Sequence, residues 1–291
     1  MQILNLLCII MDMQNYWLLF AIGAGLASNL ANFTTRYLIR DEKDSASFSI
    51  GLEVFRVLAF GLVALFDFHI NWSFKTIGLL TLLGLIEPLS IYTFMKMHEH
   101  AHLSISSIVS RSRMIWVAAI AFVFLGETLR FRDYLGIAVL FLGLSVAVAP
   151  KKFFVDKGVK MATIASIIAA VVVILIKAVS KDVSLPVMMV WMSLPSVFII
   201  PLFMKNRKQR IKKFVNERFR FKLLFNVFNF LAMYGYVFAI KYGSVSISTA
   251  IYHGMIVFAV IAGIIFLNER EDVGRKIVGS VIATAGILFL V

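Results

Sequence analysis

Cysteine is almost absent from this sequence: Cys8 is the only one among 291 residues. An intramolecular disulfide is therefore excluded, and no Cys or His spacing typical of a metal site is present. His98, His100 and His102 alternate along the chain, but side chains two apart diverge on a helix, so the pattern favours no metal site. A glycine-rich nucleotide-binding loop is also lacking, which argues against ATP hydrolysis. We expect no metal and no cofactor.

Charged residues are scarce as well. They make up 15% of the chain, against 60% hydrophobic residues, which lies outside the usual composition of soluble proteins. Apolar runs of about 20 residues recur, each long enough for a helix to cross a bilayer, and they do not alternate as barrel strands would. We predict an all-α integral membrane protein with ten transmembrane helices. The runs lie at 16–38, 46–66, 75–96, 102–125, 132–150, 159–180, 186–204, 221–242, 245–267 and 273–291.

Acidic residues are outnumbered: 16 Asp and Glu against 29 Lys and Arg give a net charge of +13. The basic residues lie in loops beside the spans, where they set orientation and contact anionic headgroups, so membrane lipids are the expected partners and nucleic acid is not. The loops after the odd-numbered spans hold 20 Lys and Arg, and the other face holds 6. The positive-inside rule then predicts a multi-pass protein of the cytoplasmic membrane with both termini outside.

The most informative feature that is present is an internal repeat. Residues 103–148 recur at 245–291 with a shift of 142 positions, which places Ser104 on Ser246 and Glu127 on Glu269. Such halves are a common way to build a transporter. Five helices per half require the two halves to have opposite orientations in the membrane. We therefore predict two inverted five-helix repeats.

The repeat also predicts how the chain divides. The expected units are an N-terminal extension at 1–15 (Met11 or Met13 could be the working start), a first repeat at 16–150, a linker at 151–158 and a second repeat at 159–291. After one inserted residue, Gly136 falls on Gly279 and Gly143 on Gly286. Glycine at this spacing predicts a helix-packing face.

Two matching positions predict a binding site near the bilayer centre. Arg111 lies deep in the fourth span, and His253 occupies its place in the repeat. A charge at that depth costs at least about 2.5–3.5 kcal/mol, so it faces a cavity or a partner. Arg111 could bind a carboxylate or phosphate, with His253 as a polar or titratable contact; alternatively, Arg111 pairs with Glu87 or Glu53 and only holds the bundle together. Arg113 lies about 200° around the helix, so we expect only one arginine to face a ligand.

Two carboxylates are candidates for proton coupling. Glu53 and Arg56 are three residues apart, so the simplest interpretation is a pair within one helix. The alternative makes Glu53 or Glu87 a proton carrier, because a buried carboxylate can titrate near neutral pH. Glu87 is the better candidate, since Pro88 beside it predicts a bend that lines the cavity.

Other polar and aromatic residues have weaker assignments. Tyr92 and Tyr234 match in the repeat and could form cavity walls, although aromatic residues in membrane helices more often serve packing or interface anchoring. Lys177 lies near a helix end, where its side chain is expected to reach the interface. Glu127 and Glu269 mark helix ends and are expected to cap or pair at the membrane surface.

The two copies of the repeat resemble a known family. "FLGETLRFRDYLGIAVLFLGLSVAV" and "FLNEREDVGRKIVGSVIATAGILFLV" are similar to the repeated signature of the EamA-like branch of the drug/metabolite transporter superfamily. The resemblance covers essentially the whole chain. It implies alternating access around a cavity lined mainly by the third, fourth, eighth and ninth helices, and a site role for Arg56 in "EVFRVLAF".

The chain departs from the family pattern in three ways. Met114 and Ile256 replace a proline common in the fourth and ninth helices, so we expect straighter helices there. Asn268 replaces a glycine of the second repeat. Family members mostly keep both termini in the cytoplasm, whereas the charge count predicts the reverse.

These observations predict a secondary transporter, not an enzyme. The expected cargo is a small organic metabolite, an amino acid or another solute with a carboxylate or phosphate, with export as the leading direction and a homodimer as a candidate assembly. The alternative is a non-transporting lipid-binding or scaffold protein that uses the basic segment 205–222. The spacing of Ile211, Phe214, Val215 and Phe219 predicts either an amphipathic helix on the membrane surface or a solvated loop.

Overall fold

A computed structural model describes residues 16–42, 44–100, 108–148, 157–258, 260–261 and 272–291. Several sequence predictions fall outside these ranges or on side chains that are not described: the extension 1–15 with Cys8, most of the linker 151–158, Ser104, Asn268, Glu269 and the histidines 98, 100 and 102.

The described residues form eleven helices, which confirms the all-α prediction. The helices are α1 (Tyr16–Glu42), α2 (Ser45–Ala64), α3 (Phe74–His100), α4 (Arg113–Leu125), α5 (Phe131–Val148), α6 (Lys157–Val179), α7 (Leu185–Leu202), α8 (Arg207–Asn216), α9 (Phe219–Tyr242), α10 (Val245–Gly254) and α11 (Val273–Leu290).

Seven helical stretches of the described residues are long and apolar enough to cross a membrane. They comprise α2, most of α3, α4 with its preceding turn, most of α6, and α7, α9 and α11. Large apolar side chains are exposed along them, such as Leu85 and Leu89 on α3, at 60% and 53%. Such a surface suits lipid rather than water. The protein is therefore a multi-pass membrane protein, while ten spans stay a prediction.

The helices of the two halves interleave. The most extensive contacts join α5 to α11, α1 to α9, α2 to α7, and α3 to α6 and α7, each pairing one half with the other. The contacts have a pseudo-twofold pattern, because α1–α9 matches α6–α3 and α4–α6 matches α10–α1 under the repeat. Neither half of the described bundle forms a separate unit, because each packs its helices against those of the other.

Glycine explains the closest of these contacts. A Cβ atom at Gly143 would overlap the backbone of Ala283, and one at Gly136 would lie 3.0 Å from the Gly286 carbonyl oxygen. Gly279 and Gly286 make equivalent approaches from α11 to α5. The predicted packing face is therefore present, and it joins the last helices of the two repeats.

One end of the bundle is held together by contacts between the halves. We name this end the closed face; it contains residues 65–73, 126–130, 180–184 and 243–244. Ile70 and Val183 form an isolated antiparallel bridge, and the Asn71 N–H donates to the Asp182 carbonyl at 2.7 Å. The loop between α2 and α3 is thereby tied to the loop between α6 and α7.

The opposite end, named the basic face, carries α8. The basic segment is thus partly an amphipathic helix, of which Phe214 packs into a notch at Gly51, where a Cβ atom would overlap the ring. The fully buried Lys222 donates from Nζ to the Phe214 carbonyl at 2.9 Å. Asp44 at the start of α2 accepts a hydrogen bond from Arg210 Nε at 3.0 Å. These contacts fix α8 to α2.

Candidate functional site

Two helices have a one-residue irregularity at positions that match in the repeat to within one residue. A turn at Ser112 separates helical residues 108–111 from α4, and α10 ends at Gly254 with a turn at Met255 before residues 256–258. Both turn residues keep right-handed helical backbone angles, so the expectation of straighter helices at Met114 and Ile256 stays a prediction. Ser112 Oγ donates to the Val109 carbonyl at 2.6 Å, a local bond that competes with regular helix geometry. Interrupted helices are typical of transporter binding sites.

A buried ionic cluster lies between α2, α3 and α9. Arg56 Nη1 donates to Glu53 Oε1 at 2.7 Å and to Glu87 Oε1 at 3.2 Å, while Nε and Nη2 donate to Asn229 Oδ1 at 3.3 and 3.0 Å. The pairing of Glu53 with Arg56 is thus present, and Glu87 joins it. All three charged residues are at most 5% exposed. One guanidinium therefore holds two carboxylates and links the first half to the second.

One oxygen of this cluster has no hydrogen bond. Among the described residues, Glu53 Oε2 is buried without a partner, and so is the hydroxyl of Ser193 on α7. The two groups interact electrostatically, although their geometry falls short of a hydrogen bond. A buried carboxylate oxygen left this way is costly, and a proton or a water molecule would satisfy it.

Both arginines of the fourth span lie near enough to His253 for their charges to act on it. Arg111 is 8% exposed and lies close enough to His253 for electrostatic interaction. Arg113 interacts in the same way with His253, Glu87 and Tyr236. Which of the two arginines faces a ligand stays a prediction.

Two polar nitrogens in this region lack partners. Among the described residues, neither Arg113 Nε nor His253 Nε2 has a hydrogen-bond partner, and both atoms are buried. The Arg56 cluster takes up Glu53 and Glu87. We name the region around Arg111, Arg113 and His253 the polar centre. Its two unpartnered nitrogen atoms are available for a bound group.

An aromatic pair lies on one side of His253. The Tyr252 ring lies edge-on to the imidazole with centroids 5.1 Å apart, and the Tyr236 and Tyr252 centroids are 4.4 Å apart. Tyr252 Oη donates to Ser28 Oγ on α1 at 2.6 Å. A Cβ atom at Gly25 would overlap the Tyr252 carbonyl, so α1 packs directly against the interruption. This packing fixes the position of His253.

The structure does not bring the two matching tyrosines into one group. Tyr92 is 37% exposed and lies on the stripe of α3 that also exposes Leu85 and Leu89, whereas Glu87 is buried on another side of that helix. Tyr234 is partly buried and stacks on Phe60 with centroids 6.4 Å apart. Only Tyr234 packs within the bundle core.

Residues that sequence reasoning treated as helix ends form a clasp at the closed face. Glu127 accepts hydrogen bonds from the Val245 N–H at 3.0 Å and from Ser246 N and Oγ at 3.3 and 2.6 Å. Lys177 Nζ donates to the Gly243 carbonyl at 2.8 Å. A carboxylate thus caps the start of α10, and an ammonium caps the end of α9, as helix dipoles favour. We name these contacts the Glu127 clasp.

Sequence reasoning missed Asn229 and set Arg113 aside. The available signal for Asn229 was a polar residue within an apolar span, which rarely lacks a partner. Within the described part of the chain, no group of three or more His, Cys, Asp or Glu side chains could hold a metal ion.

Comparison with known proteins adds a family and a fold. The family model described as "EamA-like transporter family" matches the chain twice, at residues 15–149 and 156–291. A solved structure titled "Crystal structure of protein" is similar with a TM-score of 0.64 and 14% sequence identity, over 95% of each chain. That likeness shows the fold alone. No curated protein matches the chain.

Proposed function

Because this chain belongs to the EamA-like transporter family, we propose that it is a secondary transporter that moves a small organic metabolite across the cytoplasmic membrane by alternating access. The observation that carries the proposal is the buried ionic cluster of Arg56, Glu53 and Glu87 between two interleaved halves. Ionisable groups in a membrane interior are costly and typically mark a solute or ion pathway.

Alternating access needs contacts that form on one face and break when that face opens. The Glu127 clasp and the Ile70–Val183 bridge join the two halves at the closed face. We assign them as the gate of that face. Both consist of hydrogen bonds between loops and helix ends, and Val183 and Val245 also anchor them in the apolar core, so opening must draw these two side chains out of it.

Proton coupling fits the ionic cluster. Two carboxylates share one guanidinium, so a single proton on the pair leaves the cluster neutral. Glu87 lies beside Pro88 and within reach of Arg113, on the side of the interrupted helices. We assign Glu87 as the proton carrier, with Glu53 as its partner, and Arg56 as the residue that positions both.

The proposed cargo carries a carboxylate or a phosphate, such as an amino acid, and the proposed direction is export. Arg111 and Arg113 supply positive charge near the two helix interruptions, with His253 beside them. The excess of Lys and Arg on the basic face favours a cytoplasmic position for that face and an external position for both termini.

Flux into liposomes that contain only this protein tests the proposal. Candidate solutes are chosen first by a thermal-stability screen in detergent against amino acids, sugar phosphates, nucleotide sugars and quaternary amines, since ligands of the folded state raise its melting temperature. Flux of a stabilising solute should respond to an imposed pH gradient, and Glu87→Gln should abolish that response.

The matched control is Glu217→Gln, which neutralises a half-exposed carboxylate on the basic face, 3.9 Å from Lys213. It should leave flux unchanged. Stabilisation by lipids alone, with no solute flux from a monodisperse preparation, would overturn the proposal in favour of a lipid-binding or scaffold protein.

A further inference from the structure

The polar centre contains two nitrogen atoms that are buried and, among the described residues, have no hydrogen-bond partner. They are Arg113 Nε at the start of α4 and His253 Nε2 near the end of α10. Their side chains interact electrostatically. The two residues come from opposite halves and flank the two helix irregularities, which match in the repeat to within one residue.

An unsatisfied buried donor costs about 1–3 kcal/mol, more for a charged group. Arginine keeps its charge in proteins, and among the described residues no carboxylate lies at ion-pair distance from Arg113, since Glu87 is bonded to Arg56. An acceptor that enters from outside would therefore gain two hydrogen bonds and a charge interaction in a water-poor region.

We propose that Arg113 and His253 together hold the carboxylate group of the transported solute, an inference that rests on the proposed transport function. One oxygen accepts from Arg113, and the other accepts from His253 with its proton on Nε2. Two donors from two elements match the two oxygens of one carboxylate.

The surroundings favour a carboxylate over a phosphate monoester. Arg113 also interacts with Glu87, so a bound anion lies near the two carboxylates of the Arg56 cluster. A phosphate monoester carries close to two negative charges at neutral pH, and its repulsion from Glu53 and Glu87 is about twice that of a carboxylate. The Tyr252 ring beside His253 offers an apolar surface for the rest of the solute.

Binding is measured separately from transport, by thermal stability and calorimetry on purified protein. The probes are amino acids and 2-oxo acids, each with its primary amide, together with glycerol phosphate. We expect at least one carboxylate to stabilise the parent protein, and its amide to have no effect. Arg113→Gln and His253→Gln should each weaken that binding at least tenfold.

Two further variants keep the test sharp. Arg113→Lys keeps the charge but loses Nε, so it serves where Arg113→Gln fails to fold, and it too should weaken binding. Arg275→Gln on α11 is the matched control, because that arginine is partly exposed and paired with Asp272 at 3.0 Å; it should bind as the parent does.

Several outcomes overturn the inference. The inference is wrong if a carboxylate and its amide bind equally, if the Arg113 and His253 variants retain binding, or if only Arg111→Gln loses it. It is also wrong if glycerol phosphate is preferred or if no carboxylate stabilises the protein. Failure of transport is distinguishable. Flux of a solute without a carboxylate would support the transport function and contradict this site. Carboxylate binding without flux would support this site and contradict the transport function.

Discussion

The Glu127 clasp should control how often the closed face opens. Glu127→Ala removes the acceptor of three hydrogen bonds, two from backbone N–H groups at the start of α10 and one from the Ser246 hydroxyl. Loss of a helix cap costs about 0.5–2 kcal/mol, and loss of a favourable charge at a helix start costs about 0.3–1 kcal/mol. Their sum of about 2 kcal/mol corresponds to an open fraction about 30-fold larger.

The assay is alkylation of a single cysteine placed behind the clasp. Ser248 is fully buried one turn inside α10 and donates to the Ala239 carbonyl at 3.2 Å. Ser248→Cys in a Cys8→Ser background reacts with a maleimide only when this face opens. If opening and closing are faster than the reaction, the labelling rate follows the open fraction, so Glu127→Ala should raise it about 30-fold.

The control for this experiment is Glu217→Ala at the basic face. It removes an exposed carboxylate whose pair with Lys213 contributes little, so labelling should stay within about twofold of the parent. An unchanged rate in Glu127→Ala, with helical content and melting behaviour retained, would refute the assignment of the clasp as a gate. A large increase in Glu217→Ala would instead show that labelling reports general loosening.

Three further predictions concern packing and pH. Gly143→Leu should prevent α5 from approaching α11 and lower the yield of monodisperse protein on size-exclusion chromatography, whereas Gly61→Leu, with nothing within 4 Å of a Cβ atom, should be tolerated. Phe214→Ala should empty the notch against α2 and destabilise the protein by about 2 kcal/mol in chemical denaturation, because the ring is partly buried. Burial raises the pKa of Asp44, but hydrogen bonds and the charge of Arg210 outweigh it and hold that pKa below its usual value. Its stabilising contribution is therefore present above the usual pKa and lost as pH falls through the lowered one. The melting-temperature difference between the parent and Asp44→Asn should be largest near about pH 7 and shrink as pH falls below about 4.

Most of what could be predicted from the sequence came from the length of the apolar runs and from the local spacing of residues on one helix. The run at 46–66 became α2 at Ser45–Ala64, because an apolar stretch in lipid must satisfy its backbone internally. The pair of Glu53 and Arg56 followed from their three-residue spacing on one helix. The family followed from the repeated motif.

Long-range geometry could not be predicted in the same way. Arg56 binds Asn229, 173 residues away, and only the interleaving of the two halves brings them together. The placement of Arg113 relative to His253 depends on the packing of α4 against α10, which local spacing does not show. Phe214 packs against Gly51 because glycine has no side chain and leaves space for the ring. The sequence shows that Gly51 is small, but it does not show which residue fills the space.

The clasp also has a consequence for how the protein is made. Glu127 belongs to the first half, yet its hydrogen-bond donors belong to α10, and Arg56 likewise finds Asn229 only in α9. During synthesis the first five helices enter the membrane before either partner exists. Until then Arg56 holds only Glu53 and Glu87, and Glu127 lies at the closed face without its partners in α10. Biogenesis of this protein is thus asymmetric, although its architecture repeats.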